Sequence, residues 1–563
     1  MASEVRRVTD RSITVAALAT GGAVELDRHG VVRSGSAPWT LDWAAGAADG
    51  WHLASADVAV RQWLVEDTPV VVSALRVPDG AIEQRCWASV AAGRPFALVE
   101  LHNAAPVAVA VAVVLRPSDG RRITSIDLDG EEVRVDGRRT LWVTRQPSRS
   151  TTGTTARVLD AVTAGTAEGA WPIGGVRSVD GDVAAAFVFP LPHTATLRMA
   201  LALDDVPDGV SVDVASMVTS DVVVSGWRTQ TAGAPRIDLP ERDAASAVDA
   251  ARRHLLVHAG LCLRAGIGDD DAGLAAEMAV ALDEHGLHVT ARDLLLGALA
   301  TRRSDGSFGG GDTATTARVL VALDRHRRLV DDGAVGVEIA SMMAAGAGLL
   351  YRRLVGPRWR RCMSRFGRGR ARAGGGDEGR DVGQVASALE ATAATLRALG
   401  QSDAAAMVAE RAAAVHRTHT LRADERTDAI AALRSRLAEG SPCWTWPSAT
   451  QGDDPWRTVE FLRSVRSLLV DDDGVGLDLL PLDIDEWFGS PLAVHDLPTA
   501  HGRLSFALRW HGARPALLWD LAPRVDDVAV RVAAPTLDPT WAATEPRSEA
   551  LLAEPRHEHR SFT

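Results

Sequence analysis

The order of hydrophobic and polar positions divides the chain into three regions. From residue 13 to 235, short runs of alternating polarity, such as SADVAVRQWLV and RPFALVELHN, are separated by Gly, Asp, Asn and Pro. A period of two places successive side chains on opposite faces of an extended strand. More than twelve runs of this kind, joined by turn residues, predict an antiparallel β-sandwich over 13–235.

After residue 240 the hydrophobic period changes to 3.6, which indicates amphipathic helices. Most of the helical segments begin near Asp, Ser or Thr, the residues that cap helix N-termini. Consecutive helical hairpins predict an α/α-hairpin array over 240–472. The nine predicted helices are 241–260, 272–286, 289–303, 313–330, 336–355, 383–399, 402–418, 423–439 and 455–470.

Strand patterning returns at 474–540 and predicts a small C-terminal β-domain, followed by a polar, flexible tail over 541–563. The expected fold class is therefore a multidomain β and α protein. In the last β-region, GRLSFALRWHGARPALLWDL alternates apolar and mixed positions around a Gly-Ala-Arg-Pro turn. This pattern is typical of a β-hairpin. We interpret Arg509, Trp510 and His511 as part of that hairpin and not as an active site.

Composition narrows the classes of function. The 563 residues carry a net charge of -12, which argues against broad nucleic-acid binding, and the absence of lysine excludes Schiff-base chemistry. The four cysteines lie far apart and indicate neither a zinc site nor a disulfide framework, which favours a reducing, cytoplasmic location. The apolar N-terminal stretch is interpreted as a strand and not as a signal peptide. No apolar run is long enough to cross a membrane.

Two strings carry a resemblance to a known family. The stretch from Met278 to His326, with MAVALDEHG and RSDGSFGGGDTATTARVLVALDRH, resembles the helix, Asp-Gly-Ser-Phe turn and helix unit of six-hairpin (α/α toroid) glycosidases. LDLLPLDIDEWFGSPLAVHDLPTAHGRLSFALRW is similar to the segment that opens their small C-terminal β-domain. The resemblance implies that the helical array is a central α/α-hairpin toroid, in a bacterial carbohydrate-active protein with a carbohydrate ligand and no cofactor. Nine helices are fewer than the twelve of a complete toroid, which leaves the completeness of the ring open.

The activity that the resemblance implies is hydrolysis of an oligosaccharide or α-glucoside with inversion. This reaction needs two carboxyl groups about 6.5–9.5 Å apart, and sugar rings need aromatic platforms. Candidates are therefore carboxylates beside aromatic residues in loops at helix ends. In CWTWPSATQGDDPW, Trp444, Trp446 and Trp456 surround Asp453 and Asp454, and Asp454 is also placed to cap the helix that starts at the following proline.

Two further loops supply candidates. In RSDGSFGGGDTATTA, Asp312 is a candidate catalytic carboxylate, while Asp305 and Phe308 are candidate substrate-binding residues. Both aspartates also fit a purely structural role, as a turn residue and a helix cap. Glu277 lies on a largely apolar helix and is a candidate general acid, because burial would raise its pKa.

Three hypotheses of function stand side by side. The first is an inverting glycoside hydrolase that uses the paired carboxylates. The second is a catalytically inactive glycosidase-like protein that binds a glycan or a partner protein. The third is binding of an anionic polymer through the arginine-rich loop 352–372, for which a disordered insertion is the alternative. His416 and His419 have helical spacing but lack a carboxylate partner pattern, so no metal site is expected.

Overall fold

The computed structural model describes residues 12–18, 21–35, 37–78, 80–167, 169, 175–241, 244–330, 336–355, 377–418, 430, 433–434, 454–472, 474–525 and 529–555. The described residues form two compact units, one within 1–232, 249–264 and 438–454, and the other within 233–248, 265–437 and 455–563. The predicted order of a β-rich region, a helical region and a second β-rich region is confirmed. The three predicted domain boundaries remain a prediction.

Two antiparallel sheets make up the first unit. One consists of β1 (Ser12–Ala16), β2 (Ala23–Asp27), β3 (Val32–Ser34), β4 (Trp39–Ala47), β5 (Gly50–Leu53), β10 (Val109–Pro117), β14 (Arg149–Gly153) and β16 (Ala184–Leu191). The other consists of β6 (Val60–Leu64), β7 (Val71–Val77), β8 (Gly80–Ala91), β9 (Arg94–Asn103), β11 (Ser125–Asp129), β12 (Glu132–Val135), β13 (Arg138–Val143), β15 (Val176–Arg177) and β17 (Thr196–Ala202). Their strand orders are β1-β2-β3-β4-β10-β16-β14, with β5 on β4, and β15-β11-β12-β13-β17-β9-β8-β7-β6.

Alternation along the strands explains why these segments form a sandwich. On β10, Val111 and Val113 face a core built from both sheets, while Ala112 points the other way and packs with helix α1 (Thr155–Thr163). Helix α2 (Ser220–Gln230) covers the outer face of the larger sheet. Because the strand period is two, neighbouring side chains point to opposite faces of the sheet. A strand covered on both faces therefore has apolar residues at successive positions.

Eight helices follow among the described residues, and eight of the nine predicted helices correspond to them. They are α3 (Ala244–Ala265), α4 (Ala272–Glu284), α5 (His288–Ala300), α6 (Thr313–Leu329), α7 (Val337–Val355), α8 (Asp377–Ala398), α9 (Ser402–Thr418) and α10 (Pro455–Leu469). The predicted helix 423–439 lies almost entirely outside the described residues, and so does most of the arginine-rich loop 352–372. Helix α3 contributes residues to both units.

Helices α4 and α6 end in related sequences, VALDEH and VALDRH. Asp283 of α4 is fully buried, and its carboxylate lies 2.9 Å from Nδ1 of His288 and 2.8 Å from Nδ1 of His326. The corresponding Asp324 of α6 accepts a hydrogen bond of 2.8 Å from the hydroxyl of Thr395 on α8. Each repeated aspartate therefore bonds to the next of these helices, which makes α4, α6 and α8 successive neighbours.

A buried ionic cluster lies beside this layer. Arg325 contacts Glu284 and Asp472 at 2.9 Å each, and Arg466 contacts the other oxygen of Asp472 at 3.2 Å. The backbone N–H of Ala500 donates to the same carboxylate at 2.7 Å. Burial by itself would raise the pKa of Asp472, but the two guanidinium charges and the hydrogen bonds outweigh it and hold that pKa well below its usual range. The cluster thus ties the ends of α4, α6 and α10 to the C-terminal sheet.

Two small sheets close the second unit. The first has the order β18 (Arg236–Asp238), β21 (Leu492–Thr499), β22 (Gly502–His511), β23 (Arg514–Pro523) and β26 (Arg547–Leu551). The second has the order β19 (Val470–Asp471), β20 (Leu477–Leu479), β24 (Val532–Ala534) and β25 (Asp538–Ala543). The predicted hairpin is present, with His511 opposite Arg514. Strand β26 lies within the segment for which the sequence predicted a flexible tail. Its side chains are mostly exposed, and the strand is held by backbone pairing with β23.

Candidate functional site

Helices α4, α6 and α10 run in the same direction, which brings their first halves together. At the start of α4, a side chain at Gly273 would meet the hydroxyl of Thr315 in the first turn of α6. At the other end, Asp283 contacts His326 near the last turn of α6. Contacts of Glu277 with Arg463 and of Glu284 with Arg466 show the same direction for α10.

Glu277 is held between two arginines of neighbouring helices. Its Oε2 accepts a hydrogen bond of 2.8 Å from Nη1 of Arg463, and its Oε1 lies 3.5 Å from Nε of Arg318. The guanidinium carbon of Arg318 stands over the ring of Trp456, 5.0 Å from the ring centroid, which is cation–π geometry. The Glu277 side chain is 18% exposed, whereas those of Arg318 and Arg463 are 27% and 45% exposed. The cluster is therefore partly buried, with its positive groups nearer the solvent.

The glycine-rich loop before α6 is built by local hydrogen bonds. Asp305 accepts from the backbone N–H of Ser307 at 2.9 Å and from its hydroxyl at 2.5 Å, and these bonds lower the pKa of Asp305. Arg353 donates to the carbonyl of Gly311 and lies 3.4 Å from the Asp305 carboxylate. Asp312 caps α6, because its carboxylate accepts from the N–H of Thr315 at 2.7 Å.

The same loop is pinned against the start of α4. The backbone N–H of Gly310 donates to the carbonyl of Asp269 at 3.0 Å, and Arg303 reaches the Asp269 carboxylate at 3.3 Å. Gly309 has a φ of +57°, and a Cβ there would stand 2.5 Å from that Asp269 carbonyl oxygen. Only glycine allows this close approach without displacing the backbone. The glycines therefore allow the loop to lie against the neighbouring helix start.

The structure unites some of the predicted site residues and separates others. Glu277 and Trp456, selected from different parts of the sequence, are joined through Arg318. Phe308 is fully buried and so presents no ring face to a ligand in this conformation. Helix α10 begins at Pro455, so Asp454 directly precedes it. This is the position predicted for a capping residue followed by proline at the first helical position. Asp453, Trp444 and Trp446 lie outside the described residues.

Arg318 and Arg463 were not among the predicted site residues, although the sequence contains signals for both. Arg463 follows Trp456 by seven positions, two helical turns, so both residues belong to one face of α10. Arg318 is the first charged residue of α6. A comparison of the charged residues in the first halves of successive predicted helices would have selected Arg318, and Arg463 would have followed from the face of α10 that it shares with Trp456.

The Arg-Trp-His string of the C-terminal hairpin has a structural role, as the sequence predicted. The indole of Trp510 donates to the carbonyl of Ser490 at 2.9 Å and packs against the ring of Phe488. Arg509 and His511 are exposed. Among the described residues, no group of three or more His, Cys, Asp or Glu side chains could hold a metal ion. In the same part of the chain, no helix combines the length and apolar character needed to span a bilayer.

No protein-family model matches the chain, and no curated protein matches it. Among solved structures, it is similar to a bacterial glucoamylase complexed with acarbose, at 10% identity and a TM-score of 0.48 over 72% of this chain and 68% of that one. It is also similar to an α-L-rhamnosidase from Dictyoglumus thermophilum, at 10% identity and a TM-score of 0.37 over 77% of this chain and 56% of that one. A polysaccharide lyase gives 9% identity and a TM-score of 0.18 over 72% and 82%.

Proposed function

We propose that the protein binds a carbohydrate at the cluster of Glu277, Arg318, Arg463 and Trp456. The observation that carries the proposal is that Arg318 contacts both Glu277 and Trp456, which the sequence selected independently as a candidate catalytic carboxylate and a candidate sugar-binding residue. An indole ring beside a carboxylate and guanidinium groups provides the apolar surface and the directional hydrogen bonds that a sugar ring requires. Helices hold all four residues, so the site is placed on rigid elements.

The chemistry of the described residues favours binding over turnover. Glu277 accepts from Arg463 and faces Arg318, so it is placed as a hydrogen-bond acceptor and not as a proton donor. Asp305 and Asp312 are engaged in their own loop and helix cap. An inverting hydrolase needs a separate acid and base on opposite sides of the scissile bond. Glycan binding by a glycosidase-like protein is therefore the function that the site supports best.

Hydrolysis of an oligosaccharide or α-glucoside is the second candidate. It is favoured by the sequence position of Asp454, two residues before Trp456, and of Asp453 beside it. The sequence suggested Glu277 as the general acid, but it accepts a hydrogen bond from Arg463. In this scheme Glu277 therefore acts as the base that activates water, and one of these aspartates protonates the leaving oxygen.

Binding is tested by calorimetry with an oligosaccharide panel on the full chain. Trp456→Ala should weaken binding about two- to twelvefold, because an aromatic contact contributes about 0.5–1.5 kcal/mol. Trp63→Ala is the matched control, since Trp63 is exposed on β6 of the first unit. Equal affinities of the wild type and Trp456→Ala would exclude this cluster as the site. Failure of every sugar to bind would overturn the proposal.

Turnover is tested by release of reducing sugar from the same panel. If hydrolysis occurs, Glu277→Gln and either Asp453→Asn or Asp454→Asn should abolish it while binding persists. Glu410→Gln, an exposed carboxylate on α9, is the control and should leave the rate unchanged. Binding without release by the wild type would identify a binding protein and remove the hydrolase hypothesis.

A further inference from the structure

We infer that the sugar bound at this cluster is acidic, a saccharide that carries a carboxylate or sulfate group recognised by Arg318. The inference rests on the proposed function and specifies the class of its ligand. It follows from the charge balance of the cluster, from the uncommitted donors of Arg318 and from the position of its guanidinium beside Trp456.

The cluster carries an excess positive charge. Glu277 is the single carboxylate among its four side chains, and Arg463 already neutralises it through a 2.8 Å hydrogen-bonded ion pair. The second guanidinium, that of Arg318, lies farther from Glu277, with 3.5 Å between Nε and Oε1. Its positive charge is the excess charge of the cluster. Because Arg318 is 27% exposed, its charge is only partly hydrated and gains from an anionic ligand.

The donors of Arg318 are largely uncommitted. The contact with Glu277 joins Nε of Arg318 to Oε1 at 3.5 Å. Nη1 and Nη2 of Arg318 make no hydrogen bond with any of the described residues. Guanidinium groups present paired N–H donors in a plane that matches a carboxylate or a sulfate. In contrast, Arg325 and Arg466 of the buried ionic cluster direct terminal nitrogens at Asp472. Arg318 is therefore equipped to receive an anion that the described residues do not supply.

The surroundings of Arg318 favour a sugar over a simple anion. The guanidinium stands over Trp456, so an anionic group bound to it brings the attached ring beside the indole. Gly273 in the first turn of α4 is near Nη1, and a Cβ at this position would stand 3.6 Å from that nitrogen. The missing side chain leaves this side of the guanidinium less covered. A ligand that combines a pyranose ring with one negative group satisfies both contacts.

The test compares matched oligosaccharides that differ only in charge: a neutral form, its uronic acid form and its sulfated form. Calorimetry on the full chain at low salt should show the wild type preferring one or both acidic forms by about tenfold or more, since charge-assisted hydrogen bonds are the stronger class. Arg318→Gln should remove the preference while neutral-sugar binding remains. Arg318→Lys should restore part of it, because a point charge lacks the paired donors. The uronic and sulfated arms distinguish the two anionic groups.

Controls separate the possible failures. Arg509→Gln, on the exposed face of the C-terminal hairpin, should leave the preference unchanged. Equal binding of neutral and acidic forms by the wild type would overturn this inference and leave the proposed function intact. No binding of any form would overturn the proposed function as well. A preference that survives in Arg318→Gln but disappears when the arginines of 352–372 are replaced would assign acid recognition to that segment and reject the role of Arg318.

Discussion

Replacing Asp472 by Asn should destabilise the second unit, because the change removes the carboxylate shared by two buried arginines. The Asp472 side chain is 2% exposed, and those of Arg325 and Arg466 are 8% and 5% exposed. Breaking a buried ion pair on one side costs about 3–5 kcal/mol. Arg325 keeps its 2.9 Å contact with Glu284, so we expect the lower end of that range, about 3 kcal/mol. Asn keeps the size of the side chain and an oxygen that can accept from the N–H of Ala500.

Hydrogen–deuterium exchange of peptides from α4, α6 and α10 measures the stability of the second unit separately from that of the first. A loss of about 3 kcal/mol corresponds to about 100-fold faster exchange of the slowest amides. Asp478→Asn is the control, because it removes a surface ion pair. The Asp478 side chain is 40% exposed and that of its partner Arg531 is 57% exposed, so the loss should cost less than about 1 kcal/mol. Similar exchange in the two variants would refute the assignment of Asp472 as the centre of a stabilising cluster.

The pH dependence provides a second check on the same residue. The pKa of Asp472 is lower in the folded protein than in the unfolded chain, so its carboxylate stabilises the fold above the unfolded pKa. That contribution is lost as the pH falls from about 4 toward the folded pKa. The stability difference between wild type and Asp472→Asn should therefore be constant above about pH 5 and shrink below about pH 4.

Three further substitutions test the loop, the cap and the first unit. Gly309→Ala should cost about 1–3 kcal/mol because of its positive φ and the nearby carbonyl, while Gly310→Ala, with open space around it, should change the urea midpoint little. Asp312→Ala should cost about 1 kcal/mol by the same assay, and Asp312→Ser should recover most of it. Burial raises the pKa of Asp42 despite Arg116 at 3.7 Å, so the stability of the first unit should decline as the pH rises through that pKa. Asp42→Asn should abolish this decline, which begins near the unfolded pKa at about pH 4, and an unchanged pH profile would contradict the reasoning.

Much of the fold could be predicted from periodicity. The helices predicted at 313–330 and 402–418 appear as Thr313–Leu329 and Ser402–Thr418, because capping residues and apolar stripes are local signals. The strand at 547–551 was not predicted, because β26 is held by backbone hydrogen bonds to β23 while its mostly exposed side chains give no hydrophobic pattern. The ionic cluster was missed as well, because Arg325 and Asp472 lie far apart in sequence and charged residues are normally exposed.

For the candidate site, the sequence by itself determined which residue types stand at the helix starts, since caps, glycines and loop aromatics are properties of neighbouring positions. It selected Glu277 and Trp456 without any basis for joining them. Tertiary structure decided that they meet through Arg318, and that Asp305 and Asp312 are engaged within their own loop. The reason is physical: helix packing sets which faces of α4, α6 and α10 meet, and that arrangement depends on the whole apolar core. Local periodicity predicts each helix, but it does not determine its neighbours.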